Sequence, residues 1–139
     1  MKFMISTYAT QADYDAMGGK PGETPEWSPA EFAAMGAFME GFNRELDASG
    51  ELVETRGLDA PVHTRRLRLK AGLPVVTDGP YAETQEVLAG YWIVDCASFD
   101  RATEIAAKLS TCPGPASVQA RAYADVRPIV ESRDDLLEA

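Results

Sequence analysis

The 139-residue sequence predicts one α+β domain, and three observations carry that expectation. Phe3, Ile5 and Thr7 alternate with Met4, Ser6 and Tyr8, the period of a strand, whereas Phe32, Met35, Met39, Phe42 and Leu46 recur every three or four residues, the period of a helix. Further strand-like runs and a second helical stripe follow, so helices and strands intermix in a chain too short for two cores.

Lys2 to Tyr8 is the opening strand. Ala9 to Trp27 carries Gly18, Gly19, Pro21, Gly22 and Pro25 without a sustained period, and reads as a long loop with one turn near Asp13 to Met17. Ser28-Pro29-Ala30-Glu31 starts a helix: Ser28 caps, Pro29 sits where its missing N–H costs nothing, and Glu31 completes a capping box. Gly50 stops it. Glu51 to Thr55 is a short strand, followed by the turn-rich segment Gly57 to Pro61. Thr64 to Lys70 and Leu73 to Thr77 flank Ala71-Gly72 as a tight hairpin, which Asp78-Gly79-Pro80 ends as a turn.

Val87 to Asp95 is apolar on both faces, with Leu88, Trp92 and Val94 against Val87, Tyr91 and Ile93, as a central strand covered on both sides must be. Ser98 caps a helix bearing Phe99, Ala102, Ile105, Ala106 and Leu109, and Pro113-Gly114-Pro115 blocks its continuation. A last strand lies between Val118 and Val130. Residues 131–139 are an acidic tail expected to fray. This order is the split βαβ pattern of ferredoxin-like folds with an additional hairpin. Two helices cover only one face of such a sheet, so the second apolar face of Val87 to Asp95 predicts a homodimer packed face to face.

Composition excludes several roles. A net charge of −9 opposes a nucleic-acid groove, which needs clustered cations. No apolar run approaches the roughly 18 residues of a membrane span. Met1-Lys2-Phe3-Met4-Ile5 turns polar at Ser6 and Thr7 and does not resemble a signal peptide, so a cytoplasmic location is expected. Cys96 and Cys112 form neither a disulfide framework nor a CxxC motif, which suits a reducing compartment. Gly18-Gly19-Lys20-Pro21-Gly22 is not a phosphate loop, because Lys20 precedes Pro21 and no helix opens there. His63 is the sole histidine, and no HxH, HExxH or Cys/His cluster occurs, so neither a metal nor another cofactor is expected.

The chemistry-bearing residues gather around the Asp78 turn. Asp78, Glu83 and Glu86 form a carboxylate group able to supply a base or contact a ligand. Strand alternation places Arg66, Arg68 and Lys70 on one hairpin face and Leu67 and Leu69 on the other, within reach of Glu83. Tyr81 and Tyr91 add aromatic surface. The expected ligand-binding set is therefore Asp78, Glu83, Tyr81, Arg66, Arg68 and Tyr91. Its competing explanation is structural: Asp in Asp-Gly-Pro bonds nearby backbone N–H groups, and Glu83 pairs with Arg66 or Arg68.

Thr77-Asp78-Gly79-Pro80-Tyr81-Ala82-Glu83-Thr84, followed by Val87-Leu88-Ala89-Gly90-Tyr91, resembles the DGP[FY]-x-E-T signature and next strand of the DGPF branch of the YCII-related family. The Met1-Lys2-Phe3-Met4 opening, Leu46 to Leu52, Gly57-Leu58 and Val126-Arg127-Pro128 extend the resemblance over nearly the whole chain. It implies a single YCII-related/DGPF domain over 1–130, ferredoxin-like, pairing into a dimeric α+β barrel. Relatives are associated with small-molecule chemistry, including dehydrochlorination of an aromatic ring, through a proposed His-Asp pair. That pair does not transfer, since no histidine lies between Ser28 and Ser49 and Asp47 is displaced by one position. The DGPF branch is also commonly encoded beside extracytoplasmic-function sigma factors. Three hypotheses result: a dimer binding a small anionic or aromatic molecule between sheet and helices, a cofactor-independent enzyme on a small aromatic or carbonyl substrate, and a regulatory partner of a sigma factor.

Overall fold

The computed structural model describes residues 1–22 and 25–138. Among them the chain forms β1 (Lys2–Ala9), α1 (Gln11–Met17), α2 (Pro29–Ala48), β2 (Leu52–Gly57), β3 (Arg65–Lys70), β4 (Leu73–Asp78), β5 (Val87–Asp95), α3 (Phe99–Leu109), α4 (Ala116–Arg121), β6 (Ala124–Pro128) and α5 (Arg133–Glu138).

Four strands form one open sheet in the order β2-β5-β1-β6, every neighbouring pair antiparallel. β1 and β2, joined through α2, run parallel to each other with β5 between them. β5 and β6, joined through α3, enclose β1 in the same way. These interleaved crossovers are what the split βαβ order requires, and they put the apolar strand β5 in the sheet interior. One sheet face carries the core. Phe3 and Ile5 of β1 and Trp92 and Val94 of β5 pack with Phe42 and Leu46 of α2 and Ala102, Ile105, Ala106 and Leu109 of α3. Phe42 meets Trp92 edge-on at 5.9 Å between centroids, and the indole N–H of Trp92 donates to Asn43 Oδ1 at 2.8 Å, so the largest core side chain leaves no polar atom unpaired. On the opposite face Met4 lies across from Ile93 and Ser6 from Tyr91.

Local signals fix the helix ends. Ser28 Oγ accepts from the Glu31 N–H at 3.1 Å while the Ser28 N–H donates to Glu31 Oε1 at 2.9 Å, and Gly50 takes φ 76° beyond the end of α2. Ser98 caps α3 by accepting from the Arg101 N–H.

The structure corrects three element assignments. Within the segment read as a long loop, residues 23 and 24 lie outside the described residues, but Gln11–Met17 is the helix α1. Thr10 and Asp13 form a reciprocal capping box, a local signal that outweighs the glycines downstream. The last strand, β6, falls within the stretch expected for it, after the short helix α4 at Ala116–Arg121. β2 extends to Gly57 rather than ending at Thr55. The tail expected to fray contains α5, capped by Ser132 Oγ accepting from the Asp135 N–H at 3.1 Å. The β3–β4 hairpin forms as expected, around Ala71 and Gly72 at φ 52° and 78°, the two left-handed residues of a type I′ turn. It stands as its own two-stranded sheet.

Candidate ligand-binding site

The structure separates the residues picked out around the signature turn. Asp78 accepts from Arg65 Nε at 2.7 Å, its directly opposite cross-strand neighbour. The Arg66 guanidinium lies 5.2 Å from the centroid of the Tyr81 ring. Glu83 forms no ion pair with Arg66 or Arg68; instead its backbone carbonyl accepts from the Ala12 N–H at 3.4 Å, tying the turn to α1. Arg68 is exposed. Tyr91 lies on the sheet face away from the core, where its hydroxyl donates to Glu54 Oε2 at 2.9 Å, a bond that holds the phenol above its ordinary pKa. The lone histidine faces a carboxylate, with His63 Nδ1 3.0 Å from Asp59 Oδ1, but both side chains are mostly exposed and form no cavity.

A cavity of about 230 Å³ lies elsewhere, where β1 ends and β6 begins, between the sheet and the helices α1 to α4. Its walls are Met17, Trp27, Met35, Met39, Leu109 and Val118. Pro113-Gly114-Pro115, which ends the α3 segment, closes one side by packing Gly114 against the Trp27 ring: a Cβ on Gly114 would stand only 3.0 Å from Trp27 Cη2. Tyr8 stacks on Tyr123 at 5.5 Å and 20° beside the opening.

Asp13, Glu86, Arg121 and Tyr123 form a polar rim of the cavity, whose lining also includes Thr7, Ser110 and Gln119. Arg121 of α4 donates to Asp13 Oδ1 at 2.8 Å, and the Tyr123 hydroxyl donates to Glu86 Oε2. Burial pushes the Asp13 carboxyl up, but its bonds to Arg121 and Thr10 outweigh that effect and hold it below its ordinary value of 3.8. The Glu86 bond, with some burial, pushes Tyr123 up to about 12. Cys112 also lines the cavity, and burial raises its thiol pKa, which keeps it protonated and weakly nucleophilic. Near neutrality the rim therefore holds an ionised Asp13 bonded to Arg121 and a protonated Tyr123 bonded to Glu86.

A second hollow of about 190 Å³ between α2 and α3 is bordered by charges that satisfy one another. Arg101 bonds Glu51 and Glu104, and Lys108 pairs with Glu45. Among the described residues, no three His, Cys, Asp or Glu side chains converge as metal ligands, and no helix is long and apolar enough to cross a membrane.

The YCII-related domain matches residues 1–127. The chain belongs to the YCII-related family. An uncharacterized protein of Rhizobium meliloti (strain 1021) is 34% identical over 106 residues, which are 76% of this chain and 86% of that protein. This YCII-related domain thus shares most of its length with a relative that is itself uncharacterized.

Of the carboxylates singled out in the sequence, Glu86 alone lines the cavity; Asp13, Arg121, Tyr123 and Trp27 were not recognised as site residues. Asp13 had a findable signal, since Thr10-x-x-Asp13 is a capping-box spacing that predicts a helix start there. The other three converge only through tertiary packing.

Proposed function

We propose that this YCII-related domain binds a small aromatic molecule, neutral or positively charged, in the cavity at the end of the sheet. The observation that carries this is the division of the cavity into apolar walls and a rim of two carboxylates against one guanidinium. The volume of about 230 Å³ is below the roughly 300–1,000 Å³ of drug-sized sites and suits one or two fused rings. An anion would approach Asp13 and Glu86 while the sole rim cation, Arg121, is already bonded to Asp13, so the rim disfavours it. A donor group on the ligand would find acceptors on Glu86 and Asp13. Binding is favoured over turnover because both polar pairs are internally bonded, with Asp13 held ionised and Tyr123 held protonated near neutrality. The Asp78–Tyr81 segment serves in this account to anchor the hairpin.

The test is titration calorimetry with indole, benzylamine and benzoate. Indole and benzylamine should bind at least about tenfold more tightly than benzoate. Tightest binding by benzoate, or heat from none of the three, would refute the assignment.

We also propose that this ferredoxin-like domain pairs face to face with a second copy, as a dimeric α+β barrel requires. The outer sheet face supports this, since Met4 and Ile93 form an apolar centre flanked by Tyr91, Glu54 and Arg127. Sedimentation velocity at micromolar concentration should give a dimer; a clean monomer would overturn the pairing.

A further inference from the structure

We infer that within this pair the basic hairpin β3–β4 of each copy receives the acidic helix α5 of the other. The inference rests on the face-to-face pairing proposed above.

Both elements expose apolar side chains that their own chain leaves open. Leu73 and Val75 share the hairpin face that carries Arg66, Arg68 and Lys70 and are 69% and 45% exposed, and Leu136 and Leu137 of α5 are 61% and 72% exposed. Apolar groups concentrated on two projecting elements are costly in water and gain by mutual burial.

Their charges are opposite. The hairpin carries Arg65, Arg66, Arg68 and Lys70 against one carboxylate, Asp78, in a chain whose net charge is −9. Residues 131–138 carry Glu131, Asp134, Asp135 and Glu138 against Arg133. Arg65 is engaged by Asp78 and Glu131 by Lys2. Arg66, Arg68 and Lys70 face no carboxylate within ion-pair distance among the described residues, and Asp134, Asp135 and Glu138 face no cation. Three cations without a carboxylate partner, Arg66 among them beside the Tyr81 ring, therefore match three anions without a cation.

Topology makes the contact one between copies. The hairpin is rooted where β1 ends: the Val62 N–H donates to Gln11 Oε1, just beyond the strand, and the Gly79 N–H closes the hairpin base on the Thr64 carbonyl. The segment leading to α5 is rooted where β1 begins, since Pro128 pairs with Phe3, the Ile129 N–H donates to the Lys2 carbonyl, and Glu131 meets Lys2 at 3.2 Å. An eight-residue strand holds these roots roughly 23 Å apart. A two-fold axis that reverses strand direction across the outer face would set the hairpin end of one copy over the α5 end of the other, and would do so twice.

Equilibrium sedimentation of the full chain tests this. Replacing Arg66, Arg68 and Lys70 by Glu should weaken the dimer at least about tenfold, and removing residues 131–139 should weaken it similarly. Combining the hairpin reversal with Asp134→Lys, Asp135→Lys and Glu138→Lys should restore association to within about threefold of the unaltered chain. Apart from the half-buried Arg66, the substituted positions are exposed, so melting temperatures should stay close together. A dimer that tolerates the hairpin reversal, or a double reversal that fails to restore association, would overturn the contact while leaving face-to-face pairing intact. A monomeric unaltered chain would overturn both.

Discussion

Gly114→Ala gives the sharpest local probe of the cavity. Gly114 is not among the glycines at left-handed φ, so alanine is not strained there on that account, and restriction of the unfolded chain alone would stabilise the fold by about 0.4–1 kcal/mol. The added methyl, however, would stand 3.0 Å from Trp27 Cη2 and 3.3 Å from Cζ2, inside the roughly 3.5–4.0 Å of an ordinary carbon contact. Gly114 sits between two prolines, so the backbone yields little and the indole ring must move by several tenths of an ångström. The Trp27 N–H donates to the Ala16 carbonyl at 3.2 Å, which holds its backbone and leaves ring rotation as the relief. Such overpacking costs about 1–2 kcal/mol at a half-buried ring, so the net loss should be about 0–1.6 kcal/mol, or at most roughly 6 °C in melting temperature. The displaced ring narrows the cavity, and indole affinity should fall about fivefold or more. Calorimetry with indole and the Trp27 indole N–H resonance report the two effects. A gain of stability with indole affinity and the Trp27 resonance unchanged would show that this ring is not a working wall of the site.

Three further outcomes follow from the same geometry. Glu86→Gln removes the main cause of the raised Tyr123 pKa, so the tyrosinate absorbance step at about 12 should move down toward the ordinary tyrosine value near 10. Because the folded-state value is the higher one, the stability contributed by protonated Tyr123 is present below about pH 10 and lost toward pH 12, and alkaline melting curves of the variant should lack that loss. The Asp13 carboxyl is depressed instead, so its contribution is present above its unfolded value and disappears as pH falls through the lower folded value; Arg121→Ala should cost about 0.5–1 kcal/mol at neutral pH and less in acid, as urea titrations can measure. Ile5→Ala empties a fully buried core position and should cost about 3 kcal/mol with an unchanged denaturant slope; a loss below about 1 kcal/mol would contradict the core as described.

The sheet, its central strand and both long helices were legible because each rests on a local signal: alternation at Phe3 and Ile5, the Ser28 and Ser98 caps, Gly50, and the two-sided apolar run at Trp92 and Val94. The cavity was less so. Thr10 and Asp13 were readable as a cap but lie just before a glycine-rich stretch that favoured a loop. Arg121 and Tyr123 reach Asp13 and Glu86 across 108 and 37 residues of sequence, separations that no local pattern encodes. The signature turn drew attention through its composition, yet its Asp78 and Arg66 are satisfied within the hairpin region, by Arg65 and Tyr81. Strand alternation placed Arg66 and Arg68 correctly on one hairpin face, but the cross-strand register, which sets Arg65 opposite Asp78, could not be read from a single strand.

The most direct measurement is amide chemical-shift mapping of the isotope-labelled chain during titration with indole. Binding in the cavity predicts saturable shifts at Tyr8, Met39, Leu109, Val118 and Tyr123, with Asp78 and Tyr81 unmoved. Shifts centred on Asp78, Tyr81 and Arg66, or no saturable shift along the cavity walls, would contradict it.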